Sequence, residues 1–104
     1  MADAFNKLFG AALTATAATL VTAGTAAEVI IKHIRLVNTS ANTRWVTLYQ
    51  DTADAAGTIL YQVDILAYGW AEFDGNIFLE ASDTLQGYAE DTSISCTVYG
   101  ITVT

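Results

Sequence analysis

The segment EVIIKHIRLVNTSANTRWVTLY, residues 28–49, sets the pattern that the rest of the chain repeats. In its first half, Ile30, Ile34 and Leu36 lie two or four positions apart, which is the spacing that places side chains on one face of a β-strand. The run NTSANT at 38–43 consists of residues that favour turns. We therefore expect an extended strand that is followed by a reversal of the chain.

The alternating pattern resumes after this polar run. Val46 and Leu48 fall on one face of a second strand, and Trp45, Thr47 and Tyr49 fall on the other. The connection is too long for the two-residue turns of the tightest hairpins. The stretch therefore predicts a β-hairpin with a long polar loop at the centre of the fold.

The rest of the chain consists of short alternating runs that are separated by Gly, Asp, Asn or Ser. One strong turn signal is the sequence Asp74, Gly75, Asn76. Strands are predicted at 13–22, 28–38, 43–50, 58–66, 70–74, 77–80, 84–89 and 93–103. These short elements predict an all-β fold, an antiparallel two-sheet sandwich of jelly-roll type with about eight short strands.

The apolar positions of these strands define a predicted core. Its members are Leu20, Ile30, Ile34, Leu36, Val46, Leu48, Ile59, Val63, Phe73, Ile77, Leu79, Leu85, Ile94, Cys96 and Val98. Because side chains alternate with a period of two, an error of one residue in a strand would exchange its buried and exposed faces.

A chain of 104 residues is expected to form one domain. We assign 13–104 to the sandwich and 1–12 to an N-terminal arm or short helix. Phe5, Leu8 and Phe9 have helical spacing, but they would equally serve as anchors of an arm on a neighbouring subunit. We predict the second arrangement. The apolar run after Lys7 resembles a signal peptide, but threonines interrupt it, so we assign it to the mature protein.

Composition argues against several classes of partner. The net charge is −7 with only four basic residues, which disfavours direct binding to nucleic acid or to an anionic membrane. Hydrophobic residues make up 53% and charged residues only 14%, a balance that fits burial against neighbouring subunits. Proline is absent, so edge strands need another form of cover. A single cysteine excludes an intrachain disulfide.

The sequence contains no catalytic signature. His33 and Cys96 could form a nucleophile and base, but they fall on different predicted faces. The loop 51–57 resembles a calcium site through Asp51 and Asp54, yet its spacing departs from known patterns and favours a solvated acidic turn. We therefore predict no enzyme activity, no cofactor and no metal site.

Aromatic residues are numerous, and several fall outside the predicted core phase. They suggest a surface for subunit contact, or one on which carbohydrate stacks, and we favour subunit contact. The predicted interface residues are Phe5, Leu8, Phe9, Trp45, Tyr49, Trp70 and Tyr88.

Four segments carry a resemblance to a known family. They are IKHIRLVNTS at 31–40, VTLY at 46–49, LEASDTLQGYA at 79–89 and SISCTVYG at 93–100. Across about residues 17–103 the chain resembles small virion structural proteins of tailed bacteriophages. Many members of that family have glycine where Ser82 stands, so the turn at that position departs from the pattern.

The resemblance implies a structural role in a virion that is assembled in the host cytoplasm. The leading hypothesis is a capsid decoration protein that binds the outer capsid surface as a homo-oligomer, for which we expect a trimer, and stabilises the particle. Its partners would be copies of itself and the major capsid protein or other virion proteins. The alternatives are a subunit of the head–tail junction or tail, or a module that binds carbohydrate on a host surface.

Overall fold

The computed structural model describes residues 4–24, 28–50 and 59–103, and these residues form eight β-strands and no helix. The strands are β1 (Ala4–Ala12), β2 (Ala18–Thr22), β3 (Glu28–Asn38), β4 (Arg44–Gln50), β5 (Ile59–Ile65), β6 (Trp70–Leu79), β7 (Thr84–Ala89) and β8 (Ile94–Val103). The predicted all-β class is therefore confirmed. Within these ranges no helix is long and apolar enough to cross a membrane.

The strands form two antiparallel sheets of four strands each. The first sheet has the order β1-β8-β3-β6, and the second has the order β2-β7-β4-β5. Consecutive strands thus lie mostly in opposite sheets, and every hydrogen-bonded pair joins strands that run in opposite directions. Eight strands connected in this way form a jelly roll.

The core lies between the two sheets. Its buried apolar residues are Leu13, Val21, Ala23, Val29, Ile31, Ile34, Leu36, Val46, Leu48, Ile65, Ile77, Leu79, Leu85, Ala89, Ile94, Cys96 and Val98. Most of the predicted core is present in this set. Leu20, Ile30, Val63 and Phe73 are only half-buried, and the side chain of Ile59 lies outside the part that the structure describes.

A register shift in β3 explains the error at Ile30. The pairing of β3 with β8 slips between Ile31 and His33, so that Val29 and Ile31 face the core before the shift and Ile34 faces it afterwards. An extra residue of this kind exchanges the two faces of a strand. The sequence analysis assumed one unbroken alternation and therefore placed Ile30 in the core.

The predicted central hairpin is wrong. β3 belongs to the first sheet and β4 to the second, so the polar run between them crosses from one sheet to the other. Asn38, the last residue of β3, is buried, and its Nδ2 donates to the carbonyl oxygens of Asn42 at 2.8 Å and Ile65 at 3.0 Å. Its Oδ1 accepts a hydrogen bond from the backbone N–H of Ser40 at 2.9 Å. These bonds fix the crossover.

The predicted turn at 74–76 is also wrong, because β6 continues through it as one strand. The pairing of β6 with β3 shifts at this place: Ile77 lies opposite Ile31, whereas Asp74 lies opposite His33. Gly75 has a φ of 155°, a value that favours glycine. The turn-forming sequence therefore produces an irregularity within a strand and no reversal.

Residues 4–12 form neither a helix nor an arm that leaves the domain. β1 pairs with β8 along its length, from Ala4 opposite Thr102 to Ala12 opposite Ser95. Leu8 and Phe9 are half-buried and pack against the core of their own sandwich. Residues 4–12 thus form the edge strand of the first sheet, which corrects the predicted helix, whereas the contact of Leu8 and Phe9 with a neighbouring subunit stays a prediction.

Candidate interaction surfaces

The turn between β5 and β6 exposes large apolar side chains. Leu66 is 72% exposed, Tyr68 is 71% exposed, and Trp70, the first residue of β6, is 58% exposed. These three residues are called the β5–β6 corner below. Side chains of this size rarely stand exposed together unless they take part in an interaction. The corner contains Trp70, one of the predicted interface residues.

The backbone of the β5–β6 corner is held rigidly by the crossover. The N–H of Tyr68 donates to the carbonyl oxygen of Ser40 at 3.0 Å, and Asn38 donates through Nδ2 to the carbonyl oxygen of Leu66 at 3.2 Å. Tyr68 adopts a φ of 55°, which is uncommon for a residue other than glycine. The exposed side chains therefore project from a fixed turn.

A row of polar contacts connects β3 and β6 on the outer face of the first sheet. Lys32 Nζ donates to Asn76 Oδ1 at 2.5 Å, and Arg35 Nη1 lies 3.4 Å from Glu72 Oε2. Between them, the ring nitrogens of His33 contact Asp74 at 2.5 Å and Glu72 at 3.0 Å. This row joins cationic side chains of β3 to acceptors on β6.

The carboxylates beside His33 determine its protonation. The hydrogen bond to Asp74 is the main cause that raises the pKa of His33, and the nearby charges of Asp74 and Glu72 act in the same direction against the effect of burial. The imidazolium is therefore stabilised in the folded state. The ring of Tyr99 on β8 lies beside the imidazole of His33, with the two ring centroids 6.4 Å apart.

The outer face of the second sheet carries an aromatic hollow. Its volume is about 540 Å³, and its lining residues are Trp45, Thr47, Tyr49, Gln62, Val63, Asp64 and Tyr88. The rings of Tyr49 and Tyr88 are parallel within 5°, with centroids 6.1 Å apart. Trp45 stands at 89° to Tyr88 with a centroid distance of 5.3 Å. Trp45 and Tyr88 therefore pack edge to face, and Tyr88 also packs against Tyr49.

Polar groups lie among these rings. Gln62 Nε2 donates to Thr47 Oγ1 at 3.3 Å, and the carboxylate of Asp64 lies on the same strand as Gln62. Thr47 and Tyr49 are buried, although they belong to the outer face of the sheet. The structure thus brings Trp45, Tyr49 and Tyr88 together, as three of the predicted interface residues, but the side chain of Tyr49 is buried.

The candidate chemical groups of the sequence analysis do not converge. Cys96 is buried in the core, and burial raises the pKa of its thiol to about 12. His33 lies on the opposite face of the same sheet. Among the described residues no group of His, Cys, Asp and Glu is arranged to hold a metal ion. The acidic loop 51–57 lies outside the described residues.

The remaining predicted interface residue, Phe5, is exposed on β1 and stacks against Tyr99 with a centroid distance of 6.5 Å. The sequence analysis did not single out Leu66 or Gln62. The alternating pattern predicts Leu66 as the last residue of the strand 58–66, whereas β5 ends at Ile65. Gln62 had no signal in the sequence, because its role depends on which strands become neighbours.

Comparison with known proteins shows the fold. No model of a known protein family matches the chain, and no curated protein matches it either. One similar solved structure is that of Bacillus endospore appendages, which are described as a family of disulfide-linked pili. Its chain is 16% identical to this chain, and the match covers 97% of this chain and 85% of that chain, with a TM-score of 0.52. The chain shares its β-sandwich fold with that pilus protein.

Two weaker likenesses are to viral proteins. A chain from the virus-like particle of the extra small virus of the giant freshwater prawn Macrobrachium rosenbergii is 10% identical to this chain. The match covers 98% of this chain and 79% of that chain, with a TM-score of 0.49. A pentameric capsid protein from metagenomic phage sequences is 14% identical over 94% of this chain and 60% of that chain, with a TM-score of 0.40.

Proposed function

We propose that this chain is a structural subunit of a bacteriophage virion, and specifically a capsid decoration protein that binds the outer capsid surface as a homo-oligomer. The observation that carries the proposal is the β5–β6 corner. Its three large apolar side chains stand on a turn whose backbone is hydrogen bonded to the crossover, so little backbone entropy is lost when a partner covers them. The resemblance to small virion proteins supports the same assignment.

The edge strand that follows the corner extends this surface. β6 has a neighbour on only one side, and Phe78 near its other end is also exposed, at 60%. An uncovered edge strand offers free backbone donors and acceptors to another chain. Since the chain lacks proline, we propose that a second copy or a capsid protein covers β6 together with the corner.

The distribution of charge supports a protein partner. Arg35 and Arg44 are engaged in ion pairs with acidic residues, and Lys32 is hydrogen bonded to Asn76. With a net charge of −7, the surface has little free positive charge to replace the counterions of a nucleic acid. A surface that combines exposed aromatic side chains with few free cations fits a protein–protein contact.

A subunit of the head–tail junction or tail is the second candidate. The same corner and edge would serve in a ring of subunits, because both assemblies bury apolar surface between copies. The two candidates differ in where the protein lies in the particle and in its copy number.

The experiment compares the triple variant Leu66→Ser, Tyr68→Ser, Trp70→Ser with the wild type. Light scattering after size-exclusion chromatography measures the oligomeric state, and co-sedimentation measures binding to phage capsids that lack the protein. We expect the wild type to form an oligomer, with a trimer as the expected state, and to sediment with capsids, and we expect the variant to lose both properties while it remains folded.

Phe5→Ser is the matched control, because Phe5 is 63% exposed on the opposite edge strand of the same sheet. Phe5 is among the interface residues predicted from the sequence, but the proposed contact is made by the corner and β6. It should keep both the oligomer and the capsid binding. A triple variant that behaves like the wild type in both assays would contradict the proposed role of the corner.

A further inference from the structure

We propose that the aromatic hollow on the second sheet is a binding site for a neutral saccharide chain, whose pyranose rings pack against Trp45 and Tyr88. The hollow lies on the outer face of the second sheet, whereas the β5–β6 corner lies in the connection between the two sheets, and the proposal does not depend on a place in a virion. Its volume of about 540 Å³ falls within the roughly 300–1,000 Å³ that is typical of small-molecule sites.

The aromatic walls fit the apolar faces of a sugar ring. The C–H bonds of a pyranose carry partial positive charge, and the faces of tyrosine and tryptophan rings carry the negative part of the π quadrupole. The planes of Trp45 and Tyr88, which are in edge-to-face contact at 89°, present rings of two orientations to a bound chain. A flat surface of a protein partner would be contacted by rings of a single orientation.

The polar lining fits the hydroxyl groups of a saccharide. A sugar hydroxyl both donates and accepts hydrogen bonds, and the amide of Gln62 supplies both functions, while the carboxylate of Asp64 accepts. The bond from Gln62 to Thr47 Oγ1 at 3.3 Å holds the amide over the floor of the hollow. The hollow therefore combines aromatic rings with hydrogen-bonding groups, which suits a ligand with both apolar faces and hydroxyl groups.

The charge of the lining selects a neutral sugar. No basic side chain lines the hollow among the described residues, and Asp64 adds a negative charge. An acidic saccharide or a phosphate would be repelled both there and by the net charge of −7. A small quaternary ammonium ion could use aromatic faces and a carboxylate, but it would fill only a fraction of the volume and would leave the amide unused.

The floor is organised before any ligand arrives. Thr47 is 2% exposed and Tyr49 is 5% exposed, although they are on the outer face of the sheet. The parallel rings of Tyr49 and Tyr88 pack against each other with centroids 6.1 Å apart. A site with fixed rings loses less entropy on binding than one whose side chains must first be ordered.

The two tryptophans of the chain make the test direct, because one lies in the hollow and the other in the β5–β6 corner. In Trp70→Phe, the emission of Trp45 alone is followed while cellohexaose, xylohexaose or chitohexaose is added. We expect a saturable shift of the emission with at least one of these neutral probes. In Trp45→Phe, where Trp70 is the sole tryptophan, we expect no shift of the tryptophan emission.

Affinity is then measured by calorimetry with the probe that binds. We expect Trp45→Ala and Gln62→Ala to weaken it at least tenfold and Trp70→Ala to leave it unchanged. Gln62 is an exposed residue, so its variant keeps the test valid if the loss of Trp45 disturbs folding.

Four results would overturn the proposal. The first is no saturable shift with any probe up to about 10 mM, a concentration beyond ordinary weak binding, and the second is an equal loss of affinity in Trp70→Ala. The third is binding of choline or of trigalacturonate in place of the neutral sugars, and the fourth is shielding of Trp45 from acrylamide in the wild-type oligomer. The last result would make the hollow a contact between protein chains.

Discussion

At the scale of single residues, Leu36 and Asn38 show how differently two buried positions of one strand are stabilised. Leu36 has no exposed surface and contributes by apolar burial alone. Asn38 is equally buried, but its amide bonds the backbone of the crossover and of the β5–β6 turn. Buried polar groups persist where they are hydrogen bonded in this way. The burial of Leu36 was predicted from its spacing. The hydrogen bonds of Asn38 could not be predicted, because some of its partners come from distant segments of the chain.

Replacement of Leu36 by alanine should reduce the free energy of unfolding by about 2–5 kcal/mol, because it removes apolar contacts and leaves a cavity between the sheets. Chemical denaturation of both proteins measures the difference. Val37→Ala is the matched control, since Val37 is half-buried on the outer face, and its cost should be clearly smaller. An unfolding midpoint equal to that of the wild type would show that Leu36 does not lie in the core.

The pH dependence of stability should change in His33→Gln. Since Asp74 raises the pKa of His33 in the folded state, the imidazolium contributes stability fully below its ordinary pKa of about 6.5. That contribution is lost as the pH rises through the raised value. The wild type should therefore exceed the variant by more at pH 6 than at pH 9, by roughly 0.2–1 kcal/mol for such exposed pairs. Parallel stability curves for the two proteins would refute the contact with Asp74 and Glu72.

At the scale of elements, the sequence predicted the strands better than their partners. β3 and β7 have the predicted limits, and β4, β5 and β8 differ by one residue or so at their ends. Alternation reports which residues share a face, but it contains no information about which strands pair. The polar run after β3 suits a hairpin loop and a crossover equally, so the hairpin could not be distinguished from the observed jelly-roll connection.

β1 was mistaken for a helix or arm for a related reason. Its pairing with β8 shifts between Lys7 and Phe9, and Leu8 and Phe9 both pack against the core. Two adjacent apolar residues on one side of a strand break the period of two and imitate the spacing of a helix. A register shift is set by the neighbouring strand, so the sequence of β1 alone does not reveal it.

Deletion of residues 2–12 should lower the thermal midpoint of the isolated protein. It removes the edge strand, uncovers β8 and exposes the core surface that Leu8 and Phe9 cover. Scanning calorimetry measures the change. Phe5→Ala is the control, because Phe5 is largely exposed and its loss should have little effect. A truncated protein that melts like the wild type but no longer assembles would favour an arm on a neighbouring subunit.

At the scale of the whole molecule, the two sheets present different surfaces. The first carries a row of polar contacts and ends at the apolar β5–β6 corner, and the second carries the aromatic hollow. The sequence analysis identified Trp45, Tyr49, Tyr88 and Trp70 as surface aromatics of interest. It could not divide them into two sites, because that division follows from the assignment of β4 and β7 to one sheet and β6 to the other.

If the chain is built into a virus particle, purified particles must contain it. Phage particles from a culture that expresses the chain are purified, their proteins are quantified by mass spectrometry, and their capsids are imaged by electron cryo-microscopy. The decoration role predicts copies in fixed proportion to the major capsid protein and a jelly-roll density on the outer capsid surface. The absence of its peptides from purified, infectious particles would contradict that role.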